Sequence, residues 1–445
     1  DDPRNPQNFS SGKKWLLTLI LLSGSSCVAC DSSIYTSTYA QIIPEFGTNQ
    51  NVATLGLTLF IFGLGIGPLF LAPLSEFYGR RPIYLISFGL FFVWQIPCAF
   101  AQNIETMLIV RFLAGLSSSP GLSIAGGSVS DCFEGRALAF PMALYSASPF
   151  LGPVIGPLVG GYINQYTHWR WTFYVMMVWT FLLWLGIIFF VPETFAPALL
   201  VKIARERRAA GENVQAPLEV SDKTIPQTIL TNLKRPFILL IEPIVLLLNT
   251  WTSVLLAILY LFFGAFPIVF REEHNFTQAQ IGLSFLGILV GIGLGVLTIP
   301  TYWTNQQSKL FAKHGNKPEI MLLPAMLGSI LGPLGLLLFA FTLRSNYHWS
   351  APIISTIPFG MAVILVFSSV FAFLVRAYTP WAASALASNS VERSLLAGIF
   401  PLFGRQLYEN LGNMWASALL AFIVLAMLPL PFLFYVKGEK IRAKS

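Results

Sequence analysis

Four charged residues stand inside stretches that are otherwise apolar: Asp31, Arg111, Glu242 and Arg393. Where such stretches cross a membrane, a central charge costs about 2.5–3.5 kcal/mol on insertion scales, so each is a candidate for function before packing. Asp31 lies about seventeen residues, roughly 25 Å, into the first apolar stretch; Arg111 lies about six residues, roughly 9 Å, into the fourth, entered from the opposite side. The two therefore fall at similar depth, in the outer half. If these stretches are neighbours, the side chains can pair. A carboxylate whose partner changes between two states loads and unloads a proton; a permanent structural ion pair is the alternative reading.

Other polar groups follow helical spacing. Glu242, Asn249, Ser253, Tyr260 and Gly264 share one face of the seventh apolar stretch. Such a stripe faces a water-filled cavity or another helix, although Glu242 also suits the interface near the end of its stretch. Asn389 and Arg393 lie at mid-depth of the eleventh, where the arginine either holds an anionic group of a ligand or satisfies an unwound backbone. Asp31, Tyr35, Asn249, Ser253, Tyr260, Asn389 and Arg393 are the expected cavity lining. In the fifth stretch, GPVIGPLVGG places Gly152, Gly156 and Gly160 four apart, followed by Gly161. This gives a bare face for close packing, and Pro153 and Pro157 remove backbone donors and kink the helix. A smooth, kinked helix suits a sliding interface between two halves, or close packing alone.

Between the second and third stretches, LAPLSEFYGRRPIY gathers Glu76, Gly79, Arg80, Arg81 and Pro82. Its positive charge marks a cytoplasmic turn. Its charge-assisted pairs can also latch helix ends. No enzyme pattern accompanies these features. The four histidines are scattered, Cys27-Val-Ala-Cys30 has no second ligand pair to complete a metal site, and no GK[ST] phosphate loop is present. No metal and no cofactor are expected.

The elements that must position these residues are membrane helices. The 445 residues are 55% hydrophobic and only 11% charged, against about 25% charged for a soluble domain. Twelve stretches approach the ~20 residues needed to cross a bilayer. The boundaries predict a tail over 1–14, six spans within 15–191, a central loop over 192–236, six spans within 237–436, and a tail over 437–445. With both termini in the cytoplasm, about 21 of the 27 basic residues fall on that side, whereas Arg170, Arg271 and Arg344 fall opposite. The net charge of +7 is thereby a topology signal, and nucleic acid is not an expected partner. The central loop carries ALLVKIARERRAAGE, an amphipathic helix candidate. The halves echo each other: Gly63, Gly65 and Gly67 in the second stretch match Gly291, Gly293 and Gly295 in the eighth, each set followed by proline. The chain begins at Asp1 rather than Met, which predicts a further N-terminal stretch.

Over nearly its whole length the sequence resembles the major facilitator superfamily, and within it the fungal twelve-span drug:proton antiporters. PLSEFYGRRP is similar to the loop 2–3 signature, with Ala72 in place of the usual first glycine and Glu76 where aspartate is commoner. LIVRFLAG is similar to the fourth-span signature, whose arginine, here Arg111, is tied to proton coupling. GPVIGPLVGG is similar to the antiporter signature of span five. Asp131 and Arg136 match the loop 4–5 charges, which with Glu76, Gly79, Arg80 and Arg81 imply a cytoplasmic gate. PETFAPALL and AASALASNSVERSLLAGIFPLF are also similar to the fungal branch. Asp31 matches no signature. The resemblance implies an all-α membrane protein of two pseudo-symmetric six-helix bundles, a monomer in the plasma membrane that exports drugs or metabolites in exchange for protons. A dedicated exporter of one organic acid or polyamine, a proton-coupled importer and a non-transporting receptor remain open alternatives.

Overall fold

The computed structural model describes all residues except 1, 3, 217, 218, 220–224, 316 and 443–445. Its long helices are α1 (Ser11–Glu45), α2 (Gln50–Tyr78), α3 (Arg80–Ala99), α4 (Ile104–Cys132), α5 (Phe140–Tyr166), α6 (Arg170–Phe190), α7 (Pro243–His274), α8 (Gln278–His314), α9 (Pro318–Thr342), α10 (Ser350–Ala377), α11 (Ala382–Leu411) and α12 (Asn413–Glu439). Eleven of these are long and apolar enough to cross a membrane by length and composition. The exception is α11, whose polar Ser, Asn, Glu and Arg residues depress its hydropathy; its 30 residues nevertheless pack along α7.

Helix contacts repeat between the halves. In the first, α1 packs on α5, α2 on α4 and α3 on α6; in the second, α7 packs on α11, α8 on α10 and α9 on α12. The halves meet through α2 against α11 and α5 against α8, which are equivalent pairs under the same repeat. The echoed glycines explain part of this. A Cβ on Gly63 would lie 2.5 Å from the Phe112 carbonyl of α4, and a Cβ on Gly291 would meet the Ile357 carbonyl of α10. Both helices therefore approach their partners backbone to backbone.

Burial sorts the helices. Within their most apolar windows α1 and α7 are 78% buried, whereas α6 and α12 are 28% buried. Trp171, Leu182 and Phe189 on α6 and Trp415, Phe422 and Val436 on α12 face outward, as a lipid-contacting wall requires. The centre thus belongs to α1 and α7, and α1 carries the buried acid.

One boundary differs from the sequence expectation. The seventh span was expected from 237, but the helix Ile225–Leu240 belongs to the central connection, and Pro243 starts α7. Proline at the first helical turn lacks a donor that would have no partner there. Glu242 consequently precedes α7 rather than lying within it, and accepts a hydrogen bond from Tyr378. Burial and that carboxylate push the Tyr378 phenol upward. The basic stretch of the central connection forms the helix Ala196–Ala209.

Candidate functional site

The helix of α1 tightens to a 3-10 turn at Tyr35–Thr38, just past Asp31. The sequence DSSIYTST explains the change: Ser32 and Ser33 donate to the carbonyls of Ala29 and Cys30, and Thr36 and Thr38 to those of Ser33 and Tyr35. Such back-bonding loosens the helical ladder and bends a helix.

At this bend Asp31 and Arg111 form an ion pair, Nη1 to Oδ2 at 3.1 Å, with both side chains 0% exposed. Arg111 Nη1 also donates to the Asp31 carbonyl at 3.0 Å, Nη2 to the Ser32 carbonyl at 3.5 Å, and Nε to the Gly56 carbonyl at 3.4 Å. The rings of Phe60 and Tyr35 flank the guanidinium, 4.3 Å and 4.7 Å from it. Tyr35 itself donates to the Ala53 carbonyl. Gln95 of α3 donates to Asp31 Oδ2 at 3.1 Å, whereas Asp31 Oδ1 is buried with no hydrogen-bond partner among the described residues. That oxygen is an open position for a proton. Ser32, next to the acid, meets Tyr260 of α7 at 2.9 Å and so joins the halves at this level.

In the second half a polar seam holds α7 to α11. Asn249 donates to Ser388 at 3.0 Å; Asn389 donates to Asn249 at 3.0 Å and to Thr252 at 2.7 Å; Thr250 donates to Glu392 at 2.6 Å. Asn249 and Asn389 are thus engaged between two helices and wholly buried, and the Ser253 hydroxyl is buried nearby without a hydrogen-bond partner among the described residues. Arg393 is half-buried over the rings of Phe367 and Phe371 of α10, at 5.9 Å and 6.0 Å.

The glycines of α5 face α1 rather than the other half. A Cβ on Gly152 would lie 2.5 Å from that of Ala29, one on Gly156 would overlap the Ser33 hydroxyl, and one on Gly160 would lie 2.7 Å from the Ser37 hydroxyl. Gly161 alone of this set turns to α8, at the Gln278 carbonyl. Pro153 and Pro157 lie inside the helix, and the Pro157 carbonyl abuts Gly282 of α8.

At the end of the molecule that carries both termini, Gly79 ends α2 with φ +92°, in the region that favours glycine. Arg80 pairs with Asp131 at 3.2 Å, and Arg81 donates to the Ile188 carbonyl. Glu193 accepts the backbone N–H groups of both Arg80 and Arg81, at 2.9 Å and 3.0 Å, and caps α3. Glu76 is exposed at the end of α2, and the side chain of Arg136 lies outside the described residues. At the other end a cleft of 310 Å³ opens between the halves, lined by Tyr39, Gln50 and Thr54 from the first and Phe263, Arg271 and Arg405 from the second.

Gln95, Ser32, Glu193 and Glu392 are contributors that sequence reasoning missed. Gln95 and Glu392 had a signal, a polar residue within an apolar stretch; the reach of Glu193 to Arg80 had none.

The family model described as Major Facilitator Superfamily matches residues 21–401. The chain is 45% identical to efflux pump atB of Aspergillus terreus, covering 100% of this chain and 88% of that protein. It is 39% identical to the probable drug/proton antiporter YHK8 of Saccharomyces cerevisiae, with the same coverage of both. It is 40% identical to the multidrug transporter mdrA of Aspergillus fumigatus, covering 100% of this chain and 74% of that protein. Among solved structures, the partially occluded inward-open xylose transporter XylE of E. coli aligns with a TM-score of 0.67 at 16% identity, over 96% of this chain and 98% of that one.

Proposed function

The chain belongs to the major facilitator superfamily, and we propose that it is a proton-coupled secondary transporter that exports small organic compounds by alternating access. The observation that carries this reading is the placement of the Asp31–Arg111 pair one residue from the Ser32–Tyr260 bridge between the halves. Arg111 grips the carboxylate of Asp31 together with the carbonyls of Asp31 and Ser32. Protonation of Asp31 removes its charge and weakens that grip. The change reaches Ser32 directly, and through it the contact with Tyr260. A compound bound between the halves favours the complementary rearrangement, so each site biases the same two-state joint.

The bodies that rock are residues 15–191 and 243–436. The basic end bearing the termini faces the cytoplasm, by the excess of Lys and Arg there, and the Arg80–Asp131 pair with the Glu193 cap forms the latch on that side. The protein works as a monomer surrounded by lipid in the plasma membrane. Relatives named as an efflux pump and a multidrug transporter, each matched over 100% of this chain, weigh against a non-transporting receptor.

The test is reconstitution in liposomes with an internal pH-sensitive dye and labelled compounds. Export against a compound gradient with opposed proton movement is expected for the native chain, and Asp31→Asn is expected to abolish proton movement. Proton flux undiminished in Asp31→Asn would falsify the role given to the pair. Compound movement with no proton movement in the native chain would make it a uniporter.

A further inference from the structure

The charges at membrane depth are unequally satisfied. Asp31 and Arg111 hold each other, and Glu392 accepts from Thr250. Arg393 differs: among the described residues it forms no ion pair and no hydrogen bond. The faces of Phe367 and Phe371 meet its guanidinium, and Tyr145 and Tyr260 are near enough to interact with it electrostatically. Phe367 in turn meets Phe150 of α5 edge-on, with centroids 4.8 Å apart, so the cation stands where the two halves touch. One helical turn before it, Asn389 keeps a buried Oδ1 without a partner among the described residues. An unpaired donor group and an unpaired acceptor therefore share one face of α11.

A half-buried guanidinium at membrane depth with no ion pair is costly, and an anion supplied from outside relieves that cost. The guanidinium presents a planar fork suited to a carboxylate, and the flanking rings suit a flat apolar body. An organic cation would meet the positive charge instead. We propose that Arg393 is the docking group for an aromatic organic anion, its carboxylate on the guanidinium and its ring among Phe150, Phe367 and Phe371. Calling that anion the exported substrate rests on the transporter reading above; the anion site itself does not.

The test uses the full chain purified in detergent and three labelled probes that share one ring and differ in charge: benzoate, benzamide and benzyltrimethylammonium. Benzoate is expected to bind at least tenfold more tightly than either of the others. Arg393→Gln should erase that preference, and Arg393→Lys should keep part of it. Equal binding of the three, tighter binding of the cation, or no binding by any of them overturns the proposal. So does an Arg393→Gln protein that keeps the preference. The charge series on the native chain decides the matter even where a variant fails to fold. In liposomes, benzoate that binds but never crosses sinks the transporter reading and leaves the anion site standing; a cation that crosses while benzoate does not bind does the reverse.

Discussion

At the residue scale, the Asp31–Arg111 pair sets a stability experiment apart from any transport role. Both side chains are fully buried, so removing one leaves the other charged and uncompensated in the core. Asp31→Ala is expected to destabilise the protein by about 3–5 kcal/mol, because the orphaned Arg111 pays the full desolvation cost. The double variant Asp31→Leu with Arg111→Met removes both charges and should lose less than the single variant. Thermal unfolding in one detergent compares the two; a double variant that is worse than the single would mean that the carbonyl bonds of Arg111, not its charge, hold α1 in place. The pair was legible in the sequence because charge is rare in an apolar stretch and helical rise converts position into depth. Its surroundings were less so. Gln95 is neutral, and a neutral polar residue carries a weaker signal. Glu193 is 113 residues from the Arg80 amide it caps, and nothing local announces that contact.

At the element scale, helix contacts depend on whether a glycine faces backbone or open space. Gly156 on α5 leaves no room for a Cβ beside Ser33, whereas Gly293 on α8 has nothing within 4 Å of that position. Gly156→Val should therefore push α5 from α1 and cost about 1–3 kcal/mol through overpacking. Gly293→Ala should leave stability unchanged or slightly raised, because alanine is the better helix former. Melting temperatures of the two variants test this, and equal losses would mean that α1 and α5 have slack the structure does not show. Sequence spacing alone found the glycines but not their partner. A bare face on a kinked helix fits a contact between halves as well as one within a half, and the deciding groups, Ala29, Ser33 and Ser37, lie on another helix more than a hundred positions away. Element ends show the same limit. The apolar run before Pro243 extended the expected seventh span backward, whereas the eleventh span, expected despite its polar residues, is the helix Ala382–Leu411.

At the scale of the whole molecule, the repeat of helix contacts makes the two halves comparable bodies joined by α2 with α11 and α5 with α8. This much was foreshadowed by the matched glycines of α2 and α8; which helices cross between halves was not, since that follows from packing that no single stretch encodes. Alternating access requires these joints to part on each face in turn. On the face opposite the termini, Gln406 of α11 donates to Asn51 of α2 at 3.2 Å. Cysteines at both positions lie within reach of a short bis-methanethiosulfonate linker, and the four native cysteines are buried, so background reaction is low. Linking Asn51→Cys to Gln406→Cys should cut transport in liposomes to the rate of protein-free vesicles, and reductant should restore it, because the bond to the linker is a disulfide. Each single variant controls for the chemistry. Transport that persists at full rate with the link in place would show that α2 and α11 stay together at this end through the cycle, and the moving joint would then have to be sought between α5 and α8, where Gly161 and Gly282 let the other pair of helices pass close.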